Sequence, residues 1–394
     1  MRNRSAAQAY EPDLYSRAAI LDPYPHYARL RELGPVVWLP KQRAYALPRY
    51  AECKAVLLDD ETFISGAGVA LNPVANRLSR GTTLNSDGAD HSRRRAILAH
   101  RLTPKALRAM RETIDRQAVA AVEAAVSRGV IDGVELATAL PMSVVPDLIG
   151  WPQHGREHLL RWAGATFDSM GPINSQSIRT APASAEMMRF TRRLARDRDI
   201  LPGSAGEEVL QAADAGHVPR SECPALLIDY LAPSLDTTIG AISSALYLFA
   251  THPYQWQMLR ADPAKIPNAV NEVVRYESPL RAFSRKATRD TTVSGTRIPR
   301  GARVVVIYAS ANRDPREWKD PDTFDIRRDA ARQLGFGHGT HGCAGQGLAR
   351  LETQAMLRAL VDRVERIELT GPGEWAMNNI IHRLERSPLQ LVPA

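Results

Sequence analysis

The chain lacks the features of a secreted or membrane protein. Its 394 residues include three cysteines, which are too few for a disulfide framework. The polar and basic stretch 1–12 lacks the apolar core of a signal peptide. The sequence also contains no run of about eighteen apolar residues, which is the length needed to span a bilayer. The sequence therefore predicts a soluble, cytoplasmic protein that is not bound to a membrane. We also expect residues 1–12 to form a flexible tail.

Internal repeats and low-complexity segments are absent as well. The stretch 201–206 has the composition of a loop between helices and not of a linker between domains. A formal net charge of +8 raises the question of nucleic-acid binding. The arginines are dispersed, however, and no nucleic-acid recognition motif accompanies them. We therefore expect no nucleic-acid partner.

What the sequence does contain is a glycine-rich segment around one cysteine. Cys343 lies in the segment 334–345, which carries five glycines. A metal-binding thiolate needs backbone N–H groups and a helix N-terminus to stabilise its charge, and glycines allow the turns that aim those groups at sulfur. A helix is predicted over 344–364, with one apolar face at Leu357, Leu360, Val361 and Val364. The pattern indicates a thiolate ligand, and haem iron suits it best.

Other interpretations of this segment remain open at this point. A lone cysteine is most often a small buried apolar residue. A phosphate-binding loop would end in Gly-Lys-Ser/Thr, which is missing here. His338 and His341 could start a zinc site with Cys343, but no second Cys/His pair at ligand spacing completes it.

The segment resembles the haem-binding signature of the cytochrome P450 monooxygenases. The matching residues include Phe336, Gly337, Gly339, His341, Cys343, Ala344 and Gly345. The resemblance implies a mainly α fold with a small β region, shaped as a triangular helical prism, in one domain over 1–394. It also implies haem b with Cys343 as axial iron ligand, dioxygen as co-substrate and a monomeric enzyme. The composition predicts strands over 36–39, 44–47, 292–293, 304–308 and 389–392.

A Glu-x-x-Arg pair upstream strengthens the resemblance. Glu272 and Arg275 lie three residues apart, so both charges fall on one face of a helix. The family carries such a pair, and the segments 311–315 and 320–328 resemble the loop that follows it. By resemblance, Arg328 is the third member of a buried charge cluster.

A long apolar helix is predicted over 226–249, interrupted at Pro233. A carboxylate inside such a helix is costly unless it is paired or used in chemistry, which draws attention to Asp236. By resemblance, Asp236 and Thr237 deliver protons to dioxygen. The two residues before Leu235 are Pro233 and Ser234, where the family generally has Ala-Gly, so the groove in this helix is expected to differ.

Two anionic haem propionates need cationic or hydrogen-bonding partners. By resemblance, His91 and Arg95 serve one side, and Arg285 and His341 serve the other. Phe336 and Gly345 are expected to contact the same cofactor.

A cluster of basic residues lies close to His91 in the sequence. In the family this region belongs to the face where an acidic ferredoxin docks. The resemblance implies a ferredoxin or flavodoxin and its NAD(P)H reductase as partners, since charge complementarity speeds such encounters. The residues are Arg93, Arg94, Arg95, Arg101, Lys105, Arg108 and Arg111.

Within the family, several segments resemble the bacterial enzymes that oxidise para-substituted benzoates. Those enzymes have an arginine where this chain has Ala67, and an Arg-Ser pair where it has Ile228 and Asp229. Without such partners a buried carboxylate is strongly disfavoured. We therefore expect an uncharged small aromatic substrate such as a methoxyphenol, with O-demethylation and release of formaldehyde. Candidate pocket residues are Val69, Leu71, Phe167, Met170, Ser234, Leu235 and Phe283.

Three alternatives remain on the sequence alone. The same fold could hydroxylate a polyketide, terpene or peptide natural product. It could use hydrogen peroxide directly, although the presence of Asp236 and Thr237 argues against a dedicated peroxygenase. In a different class, it could be a non-catalytic haem protein that binds a gas.

Overall fold

Long helices dominate the chain. The computed structural model describes residues 7–394, so the part of the predicted flexible tail over 1–6 lies outside the described residues. The α-helices are α1 (Arg17–Leu21), α2 (Tyr24–Leu33), α3 (Tyr50–Leu58), α4 (Pro73–Leu78), α5 (Gly88–Ala99), α6 (Pro104–Arg128), α7 (Gly133–Ile149), α8 (Leu159–Met170), α9 (Ser175–Asp197), α10 (Ala205–Asp214), α11 (Cys223–Thr251), α12 (Pro253–Ala261), α13 (Ile266–Tyr276), α14 (Tyr308–Ala311) and α15 (Gln346–Arg363).

Short strands form a small β region. They are β1 (Gln8–Ala9), β2 (Val37–Leu39), β3 (Ala44–Leu47), β4 (Phe63–Ile64), β5 (Val130–Asp132), β6 (Phe283–Ala287), β7 (Thr291–Val293), β8 (Thr296–Ile298), β9 (Arg303–Val306), β10 (Val364–Leu369), β11 (Glu374–Trp375), β12 (Leu384–Arg386) and β13 (Pro388–Pro393). One sheet has six strands in the order β1-β2-β3-β9-β6-β4, and a second has the order β10-β13-β5. Two hairpins, β11–β12 and β7–β8, complete the set within the described residues. The predicted fold class, mainly α with a small β region, is confirmed.

Helix α11 lies at the centre of the helical part. It contacts α7, α8, α9, α13 and α15, and its apolar residues join three of the core clusters. By length and composition α11 could also cross a membrane, but most of that apolar stretch is buried inside the protein. Its hydrophobicity is therefore used for packing in this fold. The predicted interruption at Pro233 is wrong, because α11 continues through this residue.

Side-chain caps fix several helix ends near the site. Thr103 Oγ1 accepts a hydrogen bond from the amide of Ala106 at the start of α6, where Pro104 occupies the first helical position. Asn174 and Ser177 form a reciprocal capping box at the start of α9. Gly150 ends α7 in the left-handed conformation, with φ of 85°.

The structure corrects three predicted boundaries. The tail does not remain free over its whole length, since β1 pairs in parallel with β2. The predicted strand 304–308 ends at Val306, because the apolar run enters α14 at Tyr308 and periodicity cannot separate the two. The predicted loop 201–206 ends at Ser204, which caps α10. Gly206 lies inside α10 at a position that requires glycine, because a β-carbon there would collide with the carbonyl of Ile149.

Candidate haem and substrate site

The segment before α15 is a series of tight turns that only glycine accommodates. Gly337 and Gly339 adopt positive φ angles of 70° and 69°. A β-carbon at Gly339 would lie 2.5 Å from the carbonyl oxygen of Leu57. The amide of Cys343 donates to the carbonyl of Phe336 at 2.8 Å, which closes the loop. The glycines therefore fix the position of the cysteine.

The sulfur of Cys343 meets opposing influences. The thiol is exposed to the space in front of it, while desolvation by the surrounding protein atoms raises its pKa. The backbone N–H groups of Gly345 and Gln346 and the guanidinium groups of Arg95 and Arg350 act in the opposite direction. The two N–H groups lie at the start of α15, where the sequence predicted such donors, and they suit a thiolate that binds a metal cation. Arg350 also stacks over the Phe336 ring, 4.5 Å from its centroid.

Cys343 opens onto a cavity of about 480 Å³. The walls come from the glycine-rich segment, from α5, and from the face of α11 that carries Thr237 and Ala241. Among residues 7–394, His338 and His341 do not gather with Cys343 into a cluster that could hold a metal ion by itself. The thiol therefore contributes a single protein ligand to this cavity.

Four cationic or polar side chains line the same cavity: His91, Arg95, Arg285 and His341. Arg285 is 3 % exposed and forms no ion pair with any described residue. His91 Nε2 is buried without a hydrogen-bond partner in the described part of the chain. Burial, with the neighbouring His341 and Arg95, lowers the pKa of His91 to about 4. Unpaired donors and cations around a thiol fit a flat anionic cofactor such as haem.

Comparison with known proteins decides the family. The family model for cytochrome P450 matches residues 186–371. Cytochrome P450 CYP199A2 of Rhodopseudomonas palustris is 40% identical over 378 residues, which covers 95% of this chain and 92% of that protein. The chain belongs to the cytochrome P450 family.

Other relatives and solved structures agree with this assignment. The monooxygenase PikC of Streptomyces venezuelae is 33% identical, with 94% of this chain and 91% of that protein covered. A crystal structure of the P450 CYP109E1 from Bacillus megaterium with testosterone has a TM-score of 0.86 at 25% identity, covering 95% of this chain and 99% of that chain. An epothilone D-bound P450, P450epoK, has the same TM-score and identity, covering 98% of this chain and 100% of that chain.

Family membership defines the reaction type and the cofactor. This P450 is an oxidoreductase of the monooxygenase type, with haem b held by a thiolate and dioxygen as co-substrate. P450 enzymes also need redox partners that deliver electrons, and some carry such partners in the same chain. Cys343, the Arg95 and Arg285 side chains and the unpartnered His91 nitrogen line one cavity, which fits an anionic haem.

The structure brings the predicted charge cluster together. Arg275 binds Glu272 through two hydrogen bonds of 2.7 and 2.8 Å, and both residues are 0 % exposed. Arg328 Nε donates to the same Glu272 carboxylate at 3.3 Å. Arg275 also donates to the carbonyls of Asn312 and Pro321, at 2.8 Å each. The cluster thus ties α13 to the loop that leads to Cys343.

The predicted proton-delivering pair divides between two environments. Thr237 lines the cavity, and its hydroxyl donates to the carbonyl of Pro233 at 2.7 Å. The Asp236 side chain is not part of the cavity wall and accepts a hydrogen bond from Arg383 Nε at 2.8 Å. Its second oxygen, Oδ2, is buried without a hydrogen-bond partner among the described residues. Burial raises the pKa of Asp236, and the Arg383 guanidinium opposes that rise.

The seven predicted pocket residues separate into two groups. Phe167, Met170, Ser234 and Phe283 line the cavity. Val69, Leu71 and Leu235 do not, which departs from the prediction. The carbonyl of Val69 accepts hydrogen bonds from Ser284, and the Leu71 amide pairs with Met170, so both residues belong to the supporting chain. Leu235 is 0 % exposed because it faces α8 and α9.

The residues of the predicted basic region fall into a group that is buried or paired and a group that is exposed. Arg94 is buried and pairs with Glu222 at 2.7 Å, and Arg101 pairs with Glu208 at 2.6 Å. Arg95 lines the cavity. Lys105, Arg108 and Arg111 are exposed on α6 and its start. The predicted docking residues that lie exposed on the surface are therefore Arg93, Lys105, Arg108 and Arg111.

Sequence reasoning missed three residues of the site. Glu352 lines the cavity, is fully buried, and neither of its oxygens has a partner among the described residues. Burial raises the pKa of Glu352 to about 8. Arg383 and Arg350 were assigned no role. Arg350 and Glu352 lie on α15 seven and nine residues after Cys343, a proximity that could have revealed them. No sequence signal links Arg383 to a residue 147 positions away.

Proposed function

We propose that this P450 oxidises a small uncharged aromatic substrate, with O-demethylation of a methoxyphenol or a related methoxyarene as the reaction. The observation that carries the proposal is the composition of the cavity wall. Phe167, Met170 and Phe283 line it together with Thr237 and Cys343. Aromatic and apolar side chains of this kind suit a flat apolar substrate. The resemblance to oxidisers of para-substituted benzoates supports the methoxyarene class.

The residues of the site have separate tasks in this proposal. Cys343 would hold the haem iron, and His91, Arg95, Arg285 and His341 would bind the propionates. When bound, haem supplies the iron that activates dioxygen and oxidises the substrate. The apolar wall orients the aromatic ring and excludes water from the reacting group. Oxidation of a methoxy carbon gives a hemiacetal, which breaks down to the phenol and formaldehyde.

Thr237 holds the proton that the reaction consumes. Its Oγ1 donates to the Pro233 carbonyl in the structure, and the hydroxyl can turn towards the cavity that it lines. Asp236, the preceding residue of α11, would replenish that proton. Since Asp236 faces away from the cavity and pairs with Arg383, it acts through a movement of its side chain or through water. Arg383 is 18% exposed through its side chain and connects Asp236 to the surface.

Electrons reach the site from partners outside this chain. We propose a ferredoxin or flavodoxin with an NAD(P)H reductase, docking where Arg93, Lys105, Arg108 and Arg111 are exposed. The burial of α11 in the core supports a soluble protein, and a cytoplasmic location fits the paucity of cysteine. We also propose that residues 1–394 form a single domain.

Turnover of a defined panel tests the proposal. Purified enzyme, a ferredoxin, its reductase and NADH are incubated with guaiacol, syringol, anisole, 4-methoxybenzoate and a macrolide. We expect formaldehyde and the demethylated phenol in equal amounts from the uncharged methoxyarenes. Hydroxylation of the macrolide alone would favour a natural-product hydroxylase, an alternative supported by the similarity to PikC. Reversible gas binding without any product would contradict the enzyme function altogether.

A further inference from the structure

Some of the charged side chains that line the cavity have partners of opposite charge, and others do not. Arg101 is paired with Glu208, and Arg95 and Arg285 are the two cations expected to neutralise the two propionates of haem. Two acidic side chains then remain in the wall, Asp229 and Glu352. Glu352 keeps its proton at neutral pH because burial raises its pKa to about 8. Asp229 is therefore the charged group left for the substrate to meet.

Asp229 lies on the same face of α11 as Thr237. The two residues are eight positions apart, with Pro233 between them, and all three line the cavity. Eight residues of α-helix correspond to about 12 Å along its axis. One aromatic ring with substituents at both ends can bridge much of that distance. A ring held with its reacting group near Thr237 would thus present its far end to Asp229.

The carboxylate of Asp229 is held in place but is not neutralised. Its Oδ2 accepts a hydrogen bond from the amide of Thr83 at 2.8 Å. Burial raises the pKa of Asp229 to about 6, against the opposing effects of Thr83, the Leu84 N–H group and the charge of Arg94, so the group is largely ionised at pH 7. The nearby cation, Arg94, is committed to Glu222 through bonds of 2.7 and 2.9 Å. Asp229 itself forms no ion pair with any residue in 7–394.

The arginines of the cavity wall are engaged elsewhere in this proposal, Arg101 with Glu208 and Arg95 and Arg285 with the haem propionates. Arg303 lies close in the structure to the loop that carries Ala67, but its guanidinium donates to the carbonyls of Ala67 and Gly68. Arg303 is also absent from the cavity wall. A carboxylate on the substrate would therefore lie near a fixed negative charge without a compensating cation, which is strongly unfavourable.

We propose that Asp229 is a specificity-determining residue, which accepts a hydrogen bond from a hydroxyl group at the far end of the substrate and excludes carboxylates. This inference rests on the proposed aromatic substrate for its ligand class. It narrows that class to phenols, with the hydroxyl and the oxidised group at opposite ends of the ring.

Spectral titration of the oxidised holoenzyme tests the proposal through binding alone. The ligands are 4-methoxyphenol, its methyl ether 1,4-dimethoxybenzene, and 4-methoxybenzoate, each added to the wild type and to Asp229→Asn. Asparagine keeps an oxygen that can accept from the Thr83 amide but removes the charge. A hydrogen bond to a charged group contributes roughly 1.5–3 kcal/mol. We therefore expect Asp229→Asn to lower the affinity for 4-methoxyphenol by roughly tenfold or more. We also expect the variant to bind 4-methoxybenzoate, which the wild type rejects.

Two controls separate the possible failures. Asp362→Asn makes the same chemical change at an exposed position of α15 and should leave every affinity unchanged.

Decanol and decanoate measure the discrimination against carboxylates even if no aromatic ligand binds. Equal ratios of phenol to carboxylate affinity in the wild type and Asp229→Asn would overturn the role of Asp229 while leaving the aromatic function intact. Binding of decanol without any aromatic ligand would instead remove the proposed function, and the decanol-to-decanoate ratio would still decide for or against Asp229. A wild type that binds none of these ligands would overturn both.

Discussion

At the scale of single residues, the position of Thr237 leads to a direct test of proton delivery. Thr237→Ala removes the hydroxyl that lines the cavity, and positioned proton donors contribute roughly 10²–10⁴-fold to rates. We expect product formation to fall roughly 10²-fold while NADH oxidation falls much less. Thr237→Ser keeps a hydroxyl and should retain most of the product yield per NADH. If Thr237→Ala stays fully coupled, the assigned role of Thr237 is wrong.

The buried acid Glu352 leads to a prediction about stability and pH. Its pKa is raised from 4.5 to about 8 by burial, so the folded protein holds a proton that the unfolded chain releases. Below pH 4.5 this costs no folding free energy, and the cost grows as the pH rises and is complete above pH 8. Glutamine does not ionise, so Glu352→Gln removes this pH-dependent cost in folding free energy. Thermal denaturation should therefore show the variant to be more stable than the wild type at pH 8.

The matching comparison for Glu352 is made at low pH. Near pH 4.5 the advantage of Glu352→Gln should largely disappear, since wild-type Glu352 is then protonated in the folded protein and about half protonated in the unfolded chain. An advantage that is equal at both pH values would mean that Glu352 is not the group that titrates.

Single residues also show what the sequence can predict at a site. The position of Cys343 was predictable, because the glycines, the cysteine and the helix that follows are adjacent in the chain. The direction of the Asp236 side chain was not, because its partner Arg383 comes from a loop before β12. Asp229 was recognised in the sequence only as a departure from the resemblance. Its place in the cavity wall depends on how α11 is rotated in the core.

At the scale of elements, the buried pair of Glu272 and Arg275 within α13, which also contacts the following loop, should stabilise the fold. Arg275→Met removes the partner of Glu272 and leaves a buried carboxylate, which costs about 3–5 kcal/mol in comparable cases. We expect denaturation by urea to show a loss of that order, with weaker haem retention, because Arg275 also holds the loop leading to Cys343.

A surface pair with the same spacing is the control for Arg275. Arg29 and Glu32 are also three residues apart, at 2.8 Å, but their side chains are 59% and 65% exposed. Arg29→Met should change stability little, since solvent screens this pair. Equal losses in the two variants would contradict a special role for the buried cluster.

Elements were predicted well where one physical signal dominated. The apolar face of α15 matches Leu357, Leu360 and Val361, all buried as expected. The boundary between β9 and α14 was missed because buried strands and buried helices share the same apolar composition. The continuity of α11 through Pro233 was also missed. Packing against its neighbouring helices compensates for the hydrogen bond that proline cannot donate.

At the scale of the whole molecule, the distribution of charge leads to a test of electron delivery. Arg108→Glu and Arg111→Glu reverse two exposed charges on α6. We expect kcat/KM for reduced ferredoxin to fall about tenfold at low ionic strength, with a smaller difference at high salt. Arg192→Glu reverses an exposed charge on α9 and should have little effect. An equal fall in that variant would place the docking surface elsewhere.

The central claim for the whole enzyme is that Cys343 holds haem iron as a thiolate. The most direct test is the absorption spectrum of the freshly purified, reduced protein under carbon monoxide. The wild type should show the Soret band for which the P450 family is named, and Cys343→Ser should lose that band. A wild-type band at the shorter wavelength of histidine-ligated haem in active protein, or an unchanged band in Cys343→Ser, would contradict the thiolate assignment.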